Sequence, residues 1–336
     1  MKENNVVANV NCQGCDSKFA YNTSLDVAKY IMAILVVGIH TEPFGFNFWL
    51  DKGFGIFTRL CVPFFFVASG FLFWSKDKNA WSYVKRIFVL YAVWSVVYLP
   101  FDFNWLCNAS IVMIFKRFCW DGNEHALWYL CGTIIGFTIT YFLLKVFKPK
   151  WVFLISVVFL FIGCLSSSWS PLLRHLVSLD FMNYLGYRNG LFYAFPYISL
   201  GMLVAKKSRQ GEKMPLRLSL VGFVISSILL VIESFIFVIH FKTNSTILWI
   251  SVLPMTYFFF CVVNCINVRL DKKTSSLLRK MSTIVYVSHG LFLIFLSNIL
   301  STFSFFLVTS ILATVFAYFV MKLSENKYLE FLKRLY

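Results

Sequence analysis

The hydrophobic pattern of the chain consists of long apolar stretches separated by short polar segments. Ten of these stretches are long enough, with their flanking residues, to cross about 30 Å of hydrocarbon as a helix. They cover residues 27–41, 54–74, 84–101, 126–146, 150–166, 190–205, 217–240, 246–266, 283–300 and 303–322. No ten-residue blocks alternate apolar and polar side chains as a membrane-spanning β-barrel requires. The pattern therefore predicts an all-α integral membrane protein, a bundle of about ten transmembrane helices.

The polar segments give no sign of a second folded unit. No Gly/Ser-rich linker divides the chain, and every predicted connection is shorter than about 25 residues. We expect a polar N-terminal tail over 1–23, one membrane domain over 24–323 and a basic C-terminal tail over 324–336. The N-terminal tail lacks the apolar region of a cleavable signal peptide. Its Cys12 and Cys15 have the spacing of half a zinc site or of a redox pair, but no second half follows, so we predict no metal site.

Composition and charge agree with a membrane protein. The chain is 59% hydrophobic and 20% aromatic, with a mean hydropathy of +0.73, which is too apolar for a soluble core of this length. With ten helices, the alternate sides of the membrane receive 23 and 6 Lys and Arg residues, and the intramembrane Lys29 and Arg59 complete the 31. The positive-inside rule then places both termini in the cytoplasm, with the protein in the cell (inner) membrane. The net charge of +16 favours contact with anionic lipids rather than nucleic acid.

Lys29 and His40 lie in the first apolar stretch with ten residues between them. On an α-helix, eleven steps return to within about 20° of the starting direction and span roughly 16 Å, so both side chains share one face. Asp26 lies within about 60° of the same face. Because charged groups at membrane depth are costly and usually face a bundle interior or a wet cavity, this stripe is a candidate functional site. The alternative is a structural ion pair of Asp26 and Lys29, with His40 at the helix surface.

Other ionisable residues lie in or beside the later stretches. Arg59 is followed by Pro63, which frees a backbone carbonyl, and its guanidinium suits a phosphate or carboxylate unless it only anchors the helix at the interface. Lys85 and Arg86 begin the third stretch and are either topology signals or phosphate ligands. His289 lies within the ninth stretch, where an intramembrane histidine is either functional or structural.

The predicted outer loops mix flat aromatic rings with hydrogen-bonding groups. Glu124, His125 and Trp128 stand at the start of the fourth stretch, and Asp102 and Arg188 belong to neighbouring loops. Such a mixture suits a sugar ligand. An ordinary aromatic belt at the membrane interface is the alternative interpretation.

The order of the motifs resembles that of the acyltransferase-3 family of membrane O-acyltransferases, over nearly the whole chain. The matching motifs are Lys29-x10-His40, Arg-x-x-Val-Pro-x-Phe-Phe-x-x-Ser-Gly over 59–70, Leu-Trp-Tyr-Leu over 127–130, Phe-Pro-Tyr-Ile-Ser-Leu-Gly-Met over 195–202 and Tyr286-x-x-His289. The chain is most similar to short members that modify surface polysaccharides. Two departures stand out: the family commonly has arginine where Lys29 stands, and its cytoplasmic Arg-x-x-Arg is incomplete because Val89 follows Arg86 at the second position.

The resemblance implies an enzyme that transfers an acyl group, usually acetyl, from cytoplasmic acyl-CoA to a hydroxyl of an extracytoplasmic or lipid-linked glycan. It implies no tightly bound cofactor, since acyl-CoA is the donor substrate. His40 is the leading catalytic residue, as the base for the acceptor hydroxyl or as an acylated intermediate, with Lys29 and His289 as further candidates. The residues assigned to substrate binding are Asp26, Arg59, Lys85, Arg86, Glu124, His125 and Trp128.

Two other functions remain open from the sequence. A transporter or flippase for a polysaccharide or lipid-linked sugar would use Pro63, Pro196 and Pro254 to break helices around a central site. The chain shows no internal repeat of the kind many transporters have, which weakens this interpretation. A non-catalytic accessory subunit of a polysaccharide assembly system is the third possibility. The acceptor, the acyl group and the oligomeric state do not follow from the sequence.

Overall fold

The computed structural model describes residues 23–75, 79–123, 127–173, 186–241 and 247–336. Every regular element in these ranges is helical. The α-helices are α1 Thr23–Thr41, α2 Phe48–Phe57, α3 Cys61–Ser75, α4 Ala80–Asn108, α5 Ile111–Lys116, α6 Trp128–Val146, α7 Pro149–Ser166, α8 Ser170–Leu173, α9 Phe195–Arg209, α10 Leu216–Phe235, α11 Val252–Cys265, α12 Lys272–Leu296 and α13 Thr302–Leu323. Tighter or wider helical turns cover Thr58–Leu60, Arg117–Asp121, Gly190–Ala194, Ile236–His240 and Lys327–Leu335. Cys12, Cys15, Glu124 and His125 lie outside the described residues.

Eight helical spans in the described part of the chain are long and apolar enough to cross a membrane. They are α1, α2 with α3, α4, α6, α7, α10 with its last turn, α12 and α13. The stretches at 190–205 and 246–266 also form helices, but α11 has only 14 residues and α9 ends in a basic turn. A multi-pass helical membrane protein is therefore confirmed, whereas the count of ten and the placement of the termini stay predictions.

Short connections make successive long helices run in opposite directions. The connections 147–148, 210–215 and 266–271 therefore lie at the end of the bundle where α1 begins, which we call the Lys29 end. The opposite end, where α1 finishes, is the His40 end. At the Lys29 end, Ser24 fixes the start of α1, since its hydroxyl donates to the carbonyl of Ile266 (2.6 Å) and accepts from the amide of Val268 (3.0 Å).

The crossing of α3 and α9 is the closest helix contact in the core. A Cβ added to Gly70 would lie 2.3 Å from the carbonyl oxygen of Ile198, and one added to Gly201 would lie 2.2 Å from that of Val67. The two backbones therefore touch directly, as small residues permit in membrane helices. Both glycines belong to the motifs over 59–70 and 195–202, so these motifs have a structural role in fixing α3 against α9.

Gly201→Ala is expected to destabilise the bundle, because backbone atoms of α3 leave no room for a methyl group. Overpacking of this kind costs about 1–3 kcal/mol. The melting temperature of the purified protein in detergent should fall accordingly. Gly53→Ala in α2 is the matched control, since nothing lies within 4 Å of its Cβ position. A helical Gly→Ala change there should leave the melting temperature unchanged or raise it. Equal melting temperatures for the two variants would contradict the close crossing.

Candidate functional site

A large cavity opens at the Lys29 end of the bundle. Its volume is about 1680 Å³, and it is lined by parts of α1, α3, α4, α6, α9, α11 and α12. The basic residues among the described lining are Lys29, Arg86, Lys207, Arg209, Lys213, Lys272, Arg279 and Lys280, and the acidic ones are Asp26 and Glu212. The cavity is therefore strongly positive and attracts anions.

Asp26 is buried and joins α1 to α12. The hydroxyl of Ser275 donates to its carboxylate at 2.8 Å, and the guanidinium of Arg279 lies 3.8 Å away. Because the carboxylate is already engaged, the structure favours a role for Asp26 in placing Arg279 at the cavity wall. The assignment of Asp26 to substrate binding stays a prediction.

Three packed aromatic rings close the inner end of the cavity. We call Phe65, Tyr129 and Tyr286 the aromatic wall, and their ring centroids lie 5.1–5.8 Å apart. The hydroxyl of Tyr129 is 3.0 Å from that of Ser69, which fixes the ring of Tyr129 against α3. All four residues line the cavity. The aromatic wall thus separates the basic cavity from the His40 end of the bundle.

A histidine pair lies directly behind the aromatic wall. The ring of His289 is 5.9 Å from that of Tyr286 and 5.4 Å from that of His40. His289 is fully buried and its Nδ1 lies 2.6 Å from the carbonyl oxygen of Tyr286. A carbonyl only accepts, so Nδ1 carries the hydrogen and Nε2 is an acceptor. Among the described residues this buried Nε2 has no hydrogen-bond partner.

His40 is the accessible member of the pair. Protein surrounds its ring closely, yet the side chain remains exposed, as expected for a residue in a recess. Lys29 lines the basic cavity and His40 does not, although both belong to α1. The two residues therefore lie on opposite sides of the aromatic wall, roughly 16 Å apart along the helix.

Two arginines add positive charge around His40. Arg59 and Arg188 are both close enough to act on His40 electrostatically. Arg59 lies in the turn Thr58–Leu60 between α2 and α3, where Pro63 cannot donate to the carbonyl four residues before it. The guanidinium of Arg188 lies 5.3 Å from the ring centroid of Trp128, within cation–π range.

Trp128 packs between Arg188 and Tyr193. Its ring is only 6% exposed and stacks on Tyr193 with an interplanar angle of 6° at 5.5 Å. Since one face of the indole is covered by Tyr193 and Arg188 lies over the ring, Trp128 orients Arg188. The geometry favours this positioning role over the direct substrate contact that the sequence suggested.

The sequence of the chain matches a known protein family. The model of one family, described as an acyltransferase domain, matches residues 22–322. The chain belongs to the acyltransferase-3 family. An acyltransferase-3 domain thus covers the cavity, the aromatic wall and the histidine pair together, which supports a membrane acyltransferase.

Curated relatives of this acyltransferase-3 protein match only part of it. An amino-acid racemase of Enterococcus faecalis is 29% identical over 209 residues, which are 57% of this chain and 29% of the racemase. A serine/alanine racemase of Enterococcus gallinarum is 27% identical over 240 residues, 63% of this chain and 33% of the racemase. The chain thus spans about a third of the length of the curated relatives it matches. No solved structure matches it.

The remaining predicted residues of this acyltransferase-3 protein lie in different places. Arg86 lines the basic cavity, whereas Lys85 is exposed and lines a smaller pocket beside it. Glu124 and His125 lie outside the described residues, so their assignment to substrate binding stays a prediction. The structure therefore brings Lys29, Asp26 and Arg86 to the cavity, and Arg59, Trp128 and His289 to His40.

Sequence reasoning gave too little weight to several residues. Arg188 was only one of many polar residues in the outer loops, and Lys207, Arg209 and Arg279 were counted only as topology signals. No spacing within the sequence distinguishes a lysine at a loop surface from one that lines a cavity. The available signal for Arg188 is its place two residues before the helical turn Gly190–Ala194, which carries Phe192 and Tyr193.

Asp102 belongs to a structural network rather than to an open sugar site. It is buried and accepts from the guanidinium of Arg117 (2.7 Å) and the side-chain amide of Asn123 (3.0 Å). Arg117 also lies 4.2 Å above the ring of Trp105. These contacts pin the segment after α4 against the end of α4. Asp102 thus lies within α4 and not in a loop, and its engaged carboxylate does not favour the predicted sugar-binding role.

Proposed function

We propose that this protein is a membrane O-acyltransferase that transfers an acyl group, with acetyl as the first choice, from acyl-CoA to a hydroxyl of an extracytoplasmic or lipid-linked glycan. The observation that carries the proposal is the position of the histidine pair at the inner end of a wide basic cavity, behind the aromatic wall. Such an arrangement lets a polyanionic donor and a separate acceptor approach the aromatic wall from opposite sides, and the rings of the wall must move apart for the acyl group to reach His40.

The basic cavity suits the donor. Acyl-CoA carries several phosphate charges, and eight basic side chains against two acidic ones line the cavity in the described residues. Typical small-ligand pockets hold about 300–1000 Å³, so a cavity of about 1680 Å³ has room for a long donor such as acyl-CoA. The thioester end would lie at the aromatic wall, with the phosphates near Lys29, Arg86 and the basic last turn of α9. This assignment places the Lys29 end in the cytoplasm, in agreement with the charge distribution.

The His40 end suits the acceptor. An exposed imidazole accepts the proton of a hydroxyl as the hydroxyl oxygen bonds to the acyl carbon. The thioester C–S bond breaks, and the released CoA thiolate takes up a proton. Arg59 and Arg188 are placed to stabilise the negative charge that develops on the acyl oxygen. The fully buried His289 contacts neither substrate and acts through His40 as a positioning residue.

Membrane vesicles of opposite orientation test the proposal. Acetyl-CoA labelled in the acetyl group does not cross membranes, so inverted vesicles should transfer label to host glycan or lipid-linked sugar and right-side-out vesicles should not. Mass spectrometry of the same glycans, with and without the protein, should show a gain of one acyl unit. Transfer in right-side-out vesicles only, or unchanged glycans in both, would contradict the proposal. A sugar that moves across the membrane without gaining an acyl group would instead indicate a flippase.

Lys29→Gln is expected to raise the KM for acetyl-CoA about tenfold with a smaller change in kcat, because it removes one charged contact to the donor. Lys29→Arg should keep most of the affinity, since the charge remains. Lys148→Gln is the matched control, because Lys148 is exposed between α6 and α7 and does not line the cavity. The measurement is the initial rate against donor concentration in inverted vesicles. Equal KM values for Lys29→Gln and Lys148→Gln would remove Lys29 from the donor site.

A further inference from the structure

A second, smaller pocket lies beside the basic cavity at the Lys29 end. Its volume is about 410 Å³. It is formed between the first turns of α4 and the C-terminal helical turn Lys327–Leu335. The lining residues are Ser82, Lys85, Arg86, Val89 and Leu90 from α4, and Lys333, Arg334 and Tyr336 from the C-terminal segment. Arg86, Leu90 and Tyr336 also border the basic cavity, whereas the other five lining residues do not.

The pocket is positively charged on both of its sides. Lys85 and Arg86 face it from α4, and Lys333 and Arg334 face it from the C-terminal segment. The described lining contains no acidic side chain. Glu330 lies outside the lining and pairs with Lys333 at 2.8 Å, so it offsets part of one charge among four. Such a site fits a phosphate group, which Lys85 and Arg334 can reach from opposite sides.

Several contacts hold the C-terminal segment in this position. The indole of Trp94 donates to the carbonyl of Leu335 at 3.1 Å. The hydroxyl groups of Tyr336 and Ser324 are 2.9 Å apart, and the ammonium of Lys280 lies 5.4 Å from the ring centroid of Tyr336. Lys333 and Arg334 are therefore fixed beside α4 by packing on α4, α12 and the end of α13. The pocket is a built feature of the fold rather than two charged surfaces that happen to face each other.

The two segments that form the pocket also carry exposed aromatic side chains. Trp81 and Phe88 on α4 are 74% and 57% exposed, and Tyr328 and Phe331 on the C-terminal segment are 90% and 62% exposed. Aromatic side chains beside cations are typical of residues at a membrane interface. A ligand that places a phosphate in the pocket and hydrocarbon along Phe88 satisfies both the charge and the exposed apolar surface.

We propose that this pocket binds the headgroup phosphate of an anionic phospholipid. The phosphate contacts Lys85 and Arg334, neither of which lines the basic cavity, and the acyl chains follow the lipid-facing side of α4 at Phe88. The bound lipid bridges α4 and the C-terminal segment next to the entrance of the basic cavity. The proposal does not depend on the acyl-transfer reaction.

Native mass spectrometry of the purified full chain, titrated with phosphatidylglycerol and with phosphatidylcholine, tests this site. Each basic side chain near an anionic lipid contributes roughly a fivefold factor in affinity, so Lys85→Gln/Arg334→Gln should bind phosphatidylglycerol about 30-fold more weakly than the unchanged protein. Lys148→Gln/Lys150→Gln removes two exposed charges away from the pocket and is the matched control, with an expected change below about twofold. If the double variant fails to fold, Arg334→Gln alone should weaken binding about fivefold.

Three results would overturn the proposal. One is an equal loss of phosphatidylglycerol affinity in the pocket variant and the control. Another is equal affinity of the unchanged protein for phosphatidylcholine and phosphatidylglycerol. The third is displacement of the lipid by CoA but not by dephospho-CoA, because the pocket would then hold the 3′-phosphate of the donor. Retention of phosphatidylglycerol in the presence of saturating CoA, together with its loss in the pocket variant, supports the lipid site.

Discussion

Replacement of His40 by glutamine is expected to reduce acyl transfer by about 10²- to 10⁴-fold, the usual contribution of a positioned general base. His40 is the one exposed imidazole beside the aromatic wall in the described part of the chain, and Arg59 and Arg188 lie around it. Glutamine keeps a polar group of similar length but cannot take the proton of a hydroxyl at neutral pH. The loss should appear in kcat, with the KM for acetyl-CoA changed little, since the basic cavity, which is the proposed donor site, does not include His40.

The measurement is transfer of labelled acetyl groups in inverted vesicles, with the amount of inserted protein determined in each preparation. His240→Gln is the matched control, because His240 is an exposed histidine that ends the turn after α10 and packs edge-on against Phe241. It should leave the rate unchanged. An active His40→Gln variant with normal insertion would contradict a base at this position and favour a transport or accessory role.

The helices follow from the sequence because apolar length alone decides them. α1, α6, α7, α10 and α13 lie within a few residues of the predicted apolar stretches, whereas α4 extends seven residues beyond its stretch and α12 begins eleven residues before its own. The residues at which the helices begin and end depend on capping hydrogen bonds, which the length of an apolar stretch does not predict. The helical span Phe48–Ser75 begins six residues before its predicted start, because Asn47 caps α2 by accepting from the amides of Trp49 and Leu50.

The candidate site could be predicted only where its residues share one helix. Lys29 and His40 lie on α1, so helical geometry predicted their common direction, and the structure places them on opposite sides of the aromatic wall. The approach of His289 to His40 could not be predicted, since 248 residues separate them and only the packing of α12 on α1 brings the rings together. The same holds for Arg188, which reaches His40 through its contact with Trp128.

His289→Asn is expected to lower kcat about 10²-fold if Nε2 of His289, rather than Nδ1, positions His40 for catalysis. The side-chain amide of asparagine can replace Nδ1 as donor to the carbonyl of Tyr286, but it has no acceptor at the position of Nε2. Gln reaches further and can place an acceptor near that position. If the buried Nε2 orients the ring of His40, His289→Gln should recover part of the rate that His289→Asn loses.

A merely structural role for His289 predicts a different result. The two variants would then differ in melting temperature and in the amount of inserted protein, while kcat per folded molecule and the pH profile of kcat would match the unchanged protein. A positioning role predicts the reverse: similar stability, a lower kcat and a shifted pH profile, because the environment of the His40 ring changes with its neighbour. Tyr286 contacts both sites, since its carbonyl accepts from His289 and its ring belongs to the aromatic wall of the basic cavity. Donor KM should therefore stay constant in His289→Gln, and a large increase would indicate that the aromatic wall itself has moved.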